Sequence, residues 1–159
     1  TMDICNATYR DIAGWLALAA EVEPLFGPML DDPAFYEALL RGIGRGTAFC
    51  VRRDDGLPGV PLRGGLLYSP ARPDRPEHRI AWLAVAARDR RAGVGRRLVE
   101  HACGLVAPPG TVAVVTFREE NAPGRPARRL YERLGFLPAE AAPPGRDGGP
   151  RQVFRRVLA

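Results

Sequence analysis

Hydrophobic positions along this chain follow two periods, and their alternation predicts the elements. Ile80 to Val85 and Thr111 to Phe117 are apolar almost throughout, as strands covered on both faces are. Between them Val94, Leu98, Ala102 and Leu105 recur at helical spacing, with Val99 and Val106 beside them. Strand, helix and strand in that order predict a right-handed crossover between parallel strands. Upstream, Ile4 to Tyr9 reads as a first strand. Asp11 then caps a helix carrying Ile12, Trp15, Leu16, Ala19 and Val22, which Pro24, Gly27 and Pro28 end. A second helix follows Asp32-Pro33, with Phe35, Tyr36, Leu39, Leu40 and Ile43 on one side. Thr47 to Arg53 and Pro61 to Tyr68 pair as a hairpin about the turn signal Asp54-Asp55-Gly56. A further helix over 126–134 presents Ala127, Leu130, Tyr131 and Leu134. The Pro- and Gly-rich stretch 138–150 predicts a loop, and Gln152 to Leu158 a last strand. The predicted order is βααβββαβαββ: an α/β fold with a mixed central sheet of about seven strands and about four helices.

The turn after the first apolar run carries the chemistry. Gly93 and Gly95 bracket the start of the crossover helix, where backbone N–H groups have no intrahelical partner. Free donors and the helix dipole favour an anion. Two absent side chains let a bulky phosphate approach the backbone. Arg90, Arg91, Arg96 and Arg97 add positive charge, whereas Arg53, at a strand end, is expected to stand apart. The turn is therefore expected to capture a pyrophosphate. An ATP-binding loop of the Walker type needs Lys and then Ser or Thr after its last glycine; here Arg96-Arg97 follow and the chain has no Lys. A dinucleotide fingerprint needs a third glycine where Leu98 stands.

Arg90-Arg91-Ala92-Gly93-Val94-Gly95 matches the R-x-x-G-x-G signature of the GNAT superfamily of N-acetyltransferases, which use acetyl-coenzyme A. Tyr131-Glu132-Arg133-Leu134-Gly135-Phe136 is similar to that family's Y-x-x-x-G-F, at the expected distance downstream. The chain resembles the family from about Ile4 to Val157, nearly its whole length. The resemblance implies one GNAT-like acetyltransferase domain over residues 1–159, with acetyl-CoA as cosubstrate. It implies that the backbone N–H of Leu83 meets the thioester carbonyl, with Ala84 and Val85 along the pantetheine arm. It makes the turn from Arg90 through Ala92, Val94 and Arg96 the pyrophosphate site, and the Tyr131 phenol the acid that protonates the leaving thiolate. Asn121 is a weaker match for a pantetheine contact, because Gly124 occupies the place where relatives often carry Asn.

The general base departs from the family pattern. Some relatives place a Glu near the start of the strand before the phosphate turn; Arg79 stands here and cannot accept a proton. Glu77, His78, Glu119 and Glu120 are the alternatives, each also readable as a solvated surface residue, and His101 is expected to face solvent. Glu21, Glu23, Phe26 and Tyr36 are candidates for the acceptor site, since carboxylates with aromatic walls suit a cationic amine. Arg125, Arg128, Arg129 and Arg133 are candidates to meet the cofactor's phosphates, with most of them expected on a solvated helix face.

Composition narrows the partners. The 159 residues suit one domain, and the formal charge of +5 is carried entirely by Arg. These arginines are spread along the chain without a recognition helix or stacking motif, so no nucleic-acid partner is expected. No apolar run reaches the ~20 residues of a membrane helix. Cys5, Cys50 and Cys103 are odd in number and far apart, which predicts reduced thiols, a cytoplasmic setting and no metal site. Thr1 before Met2 is expected to be an added residue. The sequence thus points to an N-acetyltransferase, monomer or homodimer, acting on a small-molecule primary amine by direct attack in a ternary complex. A protein N-terminus or lysine as acceptor, or a CoA-binding sensor without activity, are the alternatives.

Overall fold

In the computed structural model, which describes residues 2–159, the chain runs β1 (Cys5–Asn6), α1 (Ile12–Phe26), α2 (Pro33–Arg45), β2 (Ala48–Arg52), β3 (Leu62–Ser69), β4 (His78–Val85), α3 (Val94–Gly104), β5 (Gly110–Phe117), α4 (Arg125–Arg133), β6 (Leu137–Ala142) and β7 (Arg151–Leu158). Thr1, expected to be an added residue, lies outside the described residues. The order is the expected one, although no apolar period had marked the segment that forms β6. The strands form one mixed sheet in the order β1-β2-β3-β4-β5-β7-β6. β4 and β5 pair in parallel and the other neighbours pair antiparallel. Among the described residues no helix is long and apolar enough to cross a membrane.

Helices cover both faces. Trp15, Leu18 and Leu39 of α1 and α2 bury against Cys50, Leu62 and Leu67 on one face. Val94, Leu98, Val99 and Tyr131 of α3 and α4 bury against Leu66, Ile80, Val112 and Val114 on the other. Two adjacent glycines of β3 let both layers approach. A Cβ on Gly64 would lie 2.6 Å from Val94 Cγ1, and one on Gly65 would lie 2.8 Å from the Trp15 ring. The missing side chains are filled from opposite sides, by α3 and by α1.

Several local expectations are corrected. The first strand shrinks to Cys5–Asn6, because residues 9–11 form a short helical turn instead. Asp11 gives α1 no side-chain cap. Its buried carboxylate accepts from Thr8 N at 2.9 Å and binds Arg52 through two bonds of 3.1 and 2.8 Å. A distant arginine and the N–H of Thr8 thus take the carboxylate in place of the first N–H groups of α1. α1 continues through Pro24 to Phe26, since a proline near the helix end removes a single backbone bond. The Glu23 carboxylate then accepts from Met29 N at 2.7 Å and Leu30 N at 3.1 Å, so it folds the α1–α2 turn. Leu105 lies past the last turn of α3 and is exposed. β6 occupies part of the expected 138–150 loop. Pro138 is tolerated there because β6 is an edge strand, paired only to β7. His101, expected to face solvent, is half-buried: its ring packs edge-on against Phe49 at 4.6 Å, and burial lowers its pKa. Cys5 and Cys50, far apart in sequence, face each other across β1 and β2 as free thiols.

The glycine contacts give a paired test. Gly65→Ala forces a methyl group into the Trp15 ring and is expected to cost about 1–3 kcal/mol. Gly104→Ala, with nothing within 4 Å of the added carbon, is expected to add roughly 0.5–1 kcal/mol by helix propensity. Chemical unfolding of both variants checks the contrast.

Candidate active site

The site starts from a defect in the sheet. β4 and β5 are paired only over His78–Val112, Arg79–Ala113 and Ile80–Val114. Beyond these pairs β4 runs on to Val85 beside β3 and β5 runs on to Phe117 beside β7, so the two strands part. The cause lies at Ala81. Leu67 pairs with Trp82 and Tyr68 with Ile80, which leaves Ala81 as an extra residue, a β-bulge. A bulge bends its strand and ends regular pairing. It also turns Ile80 and Trp82 to opposite faces, Ile80 to the α3 side and Trp82 to the α1 side.

Past the fork, β4 has backbone groups with no strand to pair with. Ala86 N donates to Arg63 O at 2.8 Å. Antiparallel alternation from that bond assigns Ala84 and Trp82 to β3 as well, and turns the N–H and C=O of Leu83 and Val85 toward the parted side. Of the three backbones expected along the ligand, Leu83 and Val85 are therefore open, and Ala84 is spent on Gly65. The apolar run of β4 is not covered on both faces as expected: Ala81 is exposed and Trp82, Leu83 and Val85 are half-buried, because they border the cleft.

The glycine turn lies at the tip of the β4 arm. Arg91 has φ of 67° and Gly93 φ of 87°, so the chain coils tightly before α3. Gly93 N and the first amides of α3, those of Val94, Gly95 and Arg96, have no acceptor among the described residues. A Cβ on Gly93 would meet nothing within 4 Å, whereas one on Gly95 would lie 3.1 Å from Leu130 Cδ2. The two glycines thus do different work. Gly93 supplies the left-handed backbone and an open approach; Gly95 lets α3 sit close to α4. Arg90, Arg91 and Arg96 are exposed around the turn, with Arg96 Nε 3.1 Å from Glu100. Four convergent N–H groups with arginines at the rim fit a diphosphate.

Tyr131 stands on the α3–α4 side of the cleft. It is 4% exposed and shares one cluster with Leu83, Val85 and Leu130, its ring edge-on to Phe136. Burial raises its pKa, so the phenol stays protonated. Its hydroxyl bonds to no protein group among the described residues. Asn121 caps its own turn, Oδ1 accepting from Gly124 N at 3.0 Å, which leaves its amide nitrogen free to donate.

The base candidates gather away from the fork. Glu77 is ion-paired with Arg155, which also holds Glu140. His78 belongs to the paired end of the fork, where Nδ1 accepts from Ala71 N at 3.2 Å and lies 2.7 Å from the Tyr68 hydroxyl. Glu119 and Glu120 are exposed beyond the far end of β5, Glu120 3.6 Å from Arg118. On the α1–α2 side, Val115 of β5 is 55% exposed next to Ala81. Phe26 stacks on Phe117 at 5.3 Å, and the loop after β6 closes against the α1–α2 turn. That closure joins Arg146 to Asp32, and a Cβ on Gly27 would lie 2.6 Å from Asp147 N. Glu21 is exposed on α1 and Tyr36 exposed on α2.

Three side chains meet behind the turn in a way the sequence did not show. Asp89, 5% exposed, accepts from Arg53 Nη1 at 2.7 Å and Arg63 Nε at 3.0 Å. Arg53 is therefore tied to the turn instead of standing apart. No periodicity announces such a pairing, since its members come from three separate elements.

A sequence profile described as "Acetyltransferase (GNAT) domain" matches residues 42–138, more than half of the chain. No curated protein matches in sequence. The fold is similar to histone acetyltransferase HPA2 and related acetyltransferase from Corynebacterium glutamicum (20% identity, 100% of this chain and 97% of that chain, TM-score 0.69). It is similar to Ard1 from Thermoplasma volcanium (18% identity, 99% and 98%, TM-score 0.74). It is also similar to PaiA N-acetyltransferase from Thermoplasma acidophilum, solved in complex with coenzyme A (12% identity, 99% and 99%, TM-score 0.73).

The far wall of the cleft depends on an arginine expected in solvent. Arg125, Arg129 and Arg133 are exposed as expected, but Arg128 is buried. Its Nη1 donates to Phe117 O at 2.9 Å and Gln152 Oε1 at 2.7 Å, and its guanidinium lies 4.8 Å above the Phe154 ring. It holds the end of the β5 arm to α4 and β7. Arg128→Lys keeps the charge but loses the planar fork, and is expected to cost about 1–3 kcal/mol; Arg129→Lys is expected to stay within about 0.5 kcal/mol. Denaturant midpoints compare the two.

Proposed function

The chain belongs to the GNAT family of acetyltransferases, and from that premise we propose that it acetylates a primary amine of a small molecule by direct attack in a ternary complex. It is an acyltransferase, and acetyl-CoA supplies the acetyl group, activated as a thioester. The observation that carries the reading is the parting of β4 from β5 beside the open turn of α3. One end offers unpaired strand amides and the other a diphosphate cradle, joined by the β4 arm.

Each residue has a task in this reading. The amides of Gly93, Val94, Gly95 and Arg96 bind the diphosphate, with Arg90 and Arg91 at its rim. The Val85 backbone holds the pantetheine arm and Asn121 is a further donor to it. The Leu83 N–H donates to the thioester carbonyl, where negative charge grows during attack. The Tyr131 hydroxyl donates its proton to the departing sulfur. Its burial supports this role, because the phenol keeps its proton. A CoA-binding sensor without activity has no use for such a phenol. A lysine-like amine, with a pKa of about 10.4, must shed a proton before attack. The base candidates are ion-paired, at the closed end, or beyond the strand tip, which supports proton loss to solvent in the open cleft.

The acceptor approaches from the α1–α2 side, past Ala81 and Val115. The contact between the loop after β6 and the α1–α2 turn supports a small acceptor, because it leaves an extended peptide no open path between those loops. Cys5, Cys50 and Cys103 are free thiols, in keeping with a cytoplasmic setting. A panel of amino acids, polyamines, amino sugars and N-terminal peptides, assayed by thiol release, tests the reading. Turnover of peptides alone would replace it with the protein-acceptor alternative.

Two predictions follow the division of tasks. Gly93→Val imposes a left-handed φ on a β-branched residue without a steric contact elsewhere, and is expected to weaken coenzyme A binding at least tenfold, on the order of 1–2 kcal/mol of strain. Arg90→Ala and Arg96→Ala are expected to weaken it about three- to tenfold. This is below the 1.5–3 kcal/mol of a desolvated charge-assisted bond, since both side chains are exposed. Arg10→Ala, outside the turn and its contacts, serves as the unchanged control. Calorimetry reads all four variants.

Tyr131→Phe keeps the ring packing and removes the donor. Coenzyme A affinity is expected to hold while single-turnover transfer falls about ten- to a thousandfold, the range of a general acid assisting a good leaving group. Undiminished transfer would assign Tyr131 to the core alone.

A further inference from the structure

We infer that Asp89, Arg53 and Arg63 form a positioning clamp that holds the phosphate turn in its binding conformation. The inference rests on the turn being the cofactor's diphosphate site. The turn contains a strained residue: Arg91, with φ of 67°, is not a glycine, and its Cβ crowds the backbone in the left-handed region. Such residues persist when their surroundings over-determine them. Here both ends of the segment are held by the same groups. Asp89 O accepts from Ala92 N at 3.3 Å, closing the backbone around Arg91. The Asp89 carboxylate binds both nitrogens of the Arg53 fork and takes Arg63 Nε at 3.0 Å. Arg63 O in turn accepts from Ala86 N at 2.8 Å, where β4 enters the turn.

The charges fit this role. Arg53 and Arg63 hold the Asp89 carboxylate below its ordinary pKa despite burial. Two guanidiniums share the one buried carboxylate behind the turn, and Asp54 and Glu21 also favour the charged form of Arg53. Arg53 follows β2 and Arg63 belongs to β3, so the hairpin braces the turn through side chains alone. None of the three needs to touch the cofactor. They act through the direction of the Gly93–Arg96 amides.

The clamp predicts a selective defect. In Arg53→Ala and in Asp89→Asn, coenzyme A binding by calorimetry is expected to weaken about 10- to 100-fold, the scale seen when groups that orient binding residues are lost. 3′-Dephospho-coenzyme A, which keeps the diphosphate, is expected to lose as much. The value of kcat at saturating acetyl-CoA and the KM for the amine are expected to move less than about threefold. Arg53→Lys, which restores one charged bond, recovers part of the affinity. The double variant binds no worse than either single one, because each already opens the clamp. A folded Arg53→Ala that melts earlier yet binds coenzyme A as the wild type does would overturn the inference, as would additive losses in the double variant. Failure of the wild type itself to bind coenzyme A would overturn the turn's assignment instead, and so is distinguishable.

Discussion

Everything in this molecule is arranged around a parallel strand pair that stops after three residues. A sheet interior normally satisfies each N–H and C=O through its neighbours. Here the bulge at Ala81 swings β4 away from β5, and the amides of Leu83 and Val85 lose their partner strand. Leaving such groups dry and unpaired costs about 1–3 kcal/mol each. A protein retains that cost where a ligand or water completes the bonds. The rest of the fold holds the gap open. α3 and α1 press on β3 through Gly64 and Gly65, so the β4 arm is fixed from both sides. Arg128 and Arg151 hold the β5 arm, Arg128 at its terminal carbonyl and Arg151 4.5 Å above the Phe117 ring.

The second organising element is the use of buried carboxylates to anchor loops. Asp11 gathers Arg52, Thr8 N and Gly59 N; Asp89 gathers Arg53 and Arg63. Burial raises a carboxyl pKa, yet both groups are held below the ordinary value by their arginines and hydrogen bonds. Desolvating such pairs offsets much of their attraction, so their contribution lies more in geometry than in net stability. Each fixes one segment that has little apolar area of its own: the start of α1 and the turn before α3. The +5 formal charge thus misleads as a guide to partners. Arg52, Arg128 and Arg151 are internal struts, and exposed arginines cluster at the α3 turn.

Most of the architecture was legible in the sequence, because side-chain periodicity reports which face of each element is buried. The two apolar runs, the stripe of Val94, Leu98 and Ala102, and the Gly93-Val94-Gly95 turn determined the crossover and the open start of α3 by local pattern alone. Tyr131 was legible as part of the α4 stripe, and the family signature gave that phenol a role. Local pattern misled where a tertiary contact competed with it. Pro138 suggested a loop but tolerates an edge strand. Asp11 looked like a cap but answers to Arg52. Arg128 looked solvent-facing but is held by Phe117 O and Gln152. The parting of β4 from β5, the opposite duties of Gly93 and Gly95, and the Asp89 clamp were decided only in the folded chain. Each depends on groups far apart along the sequence, whose meeting is set by strand register and helix packing, and no one-dimensional period encodes that meeting.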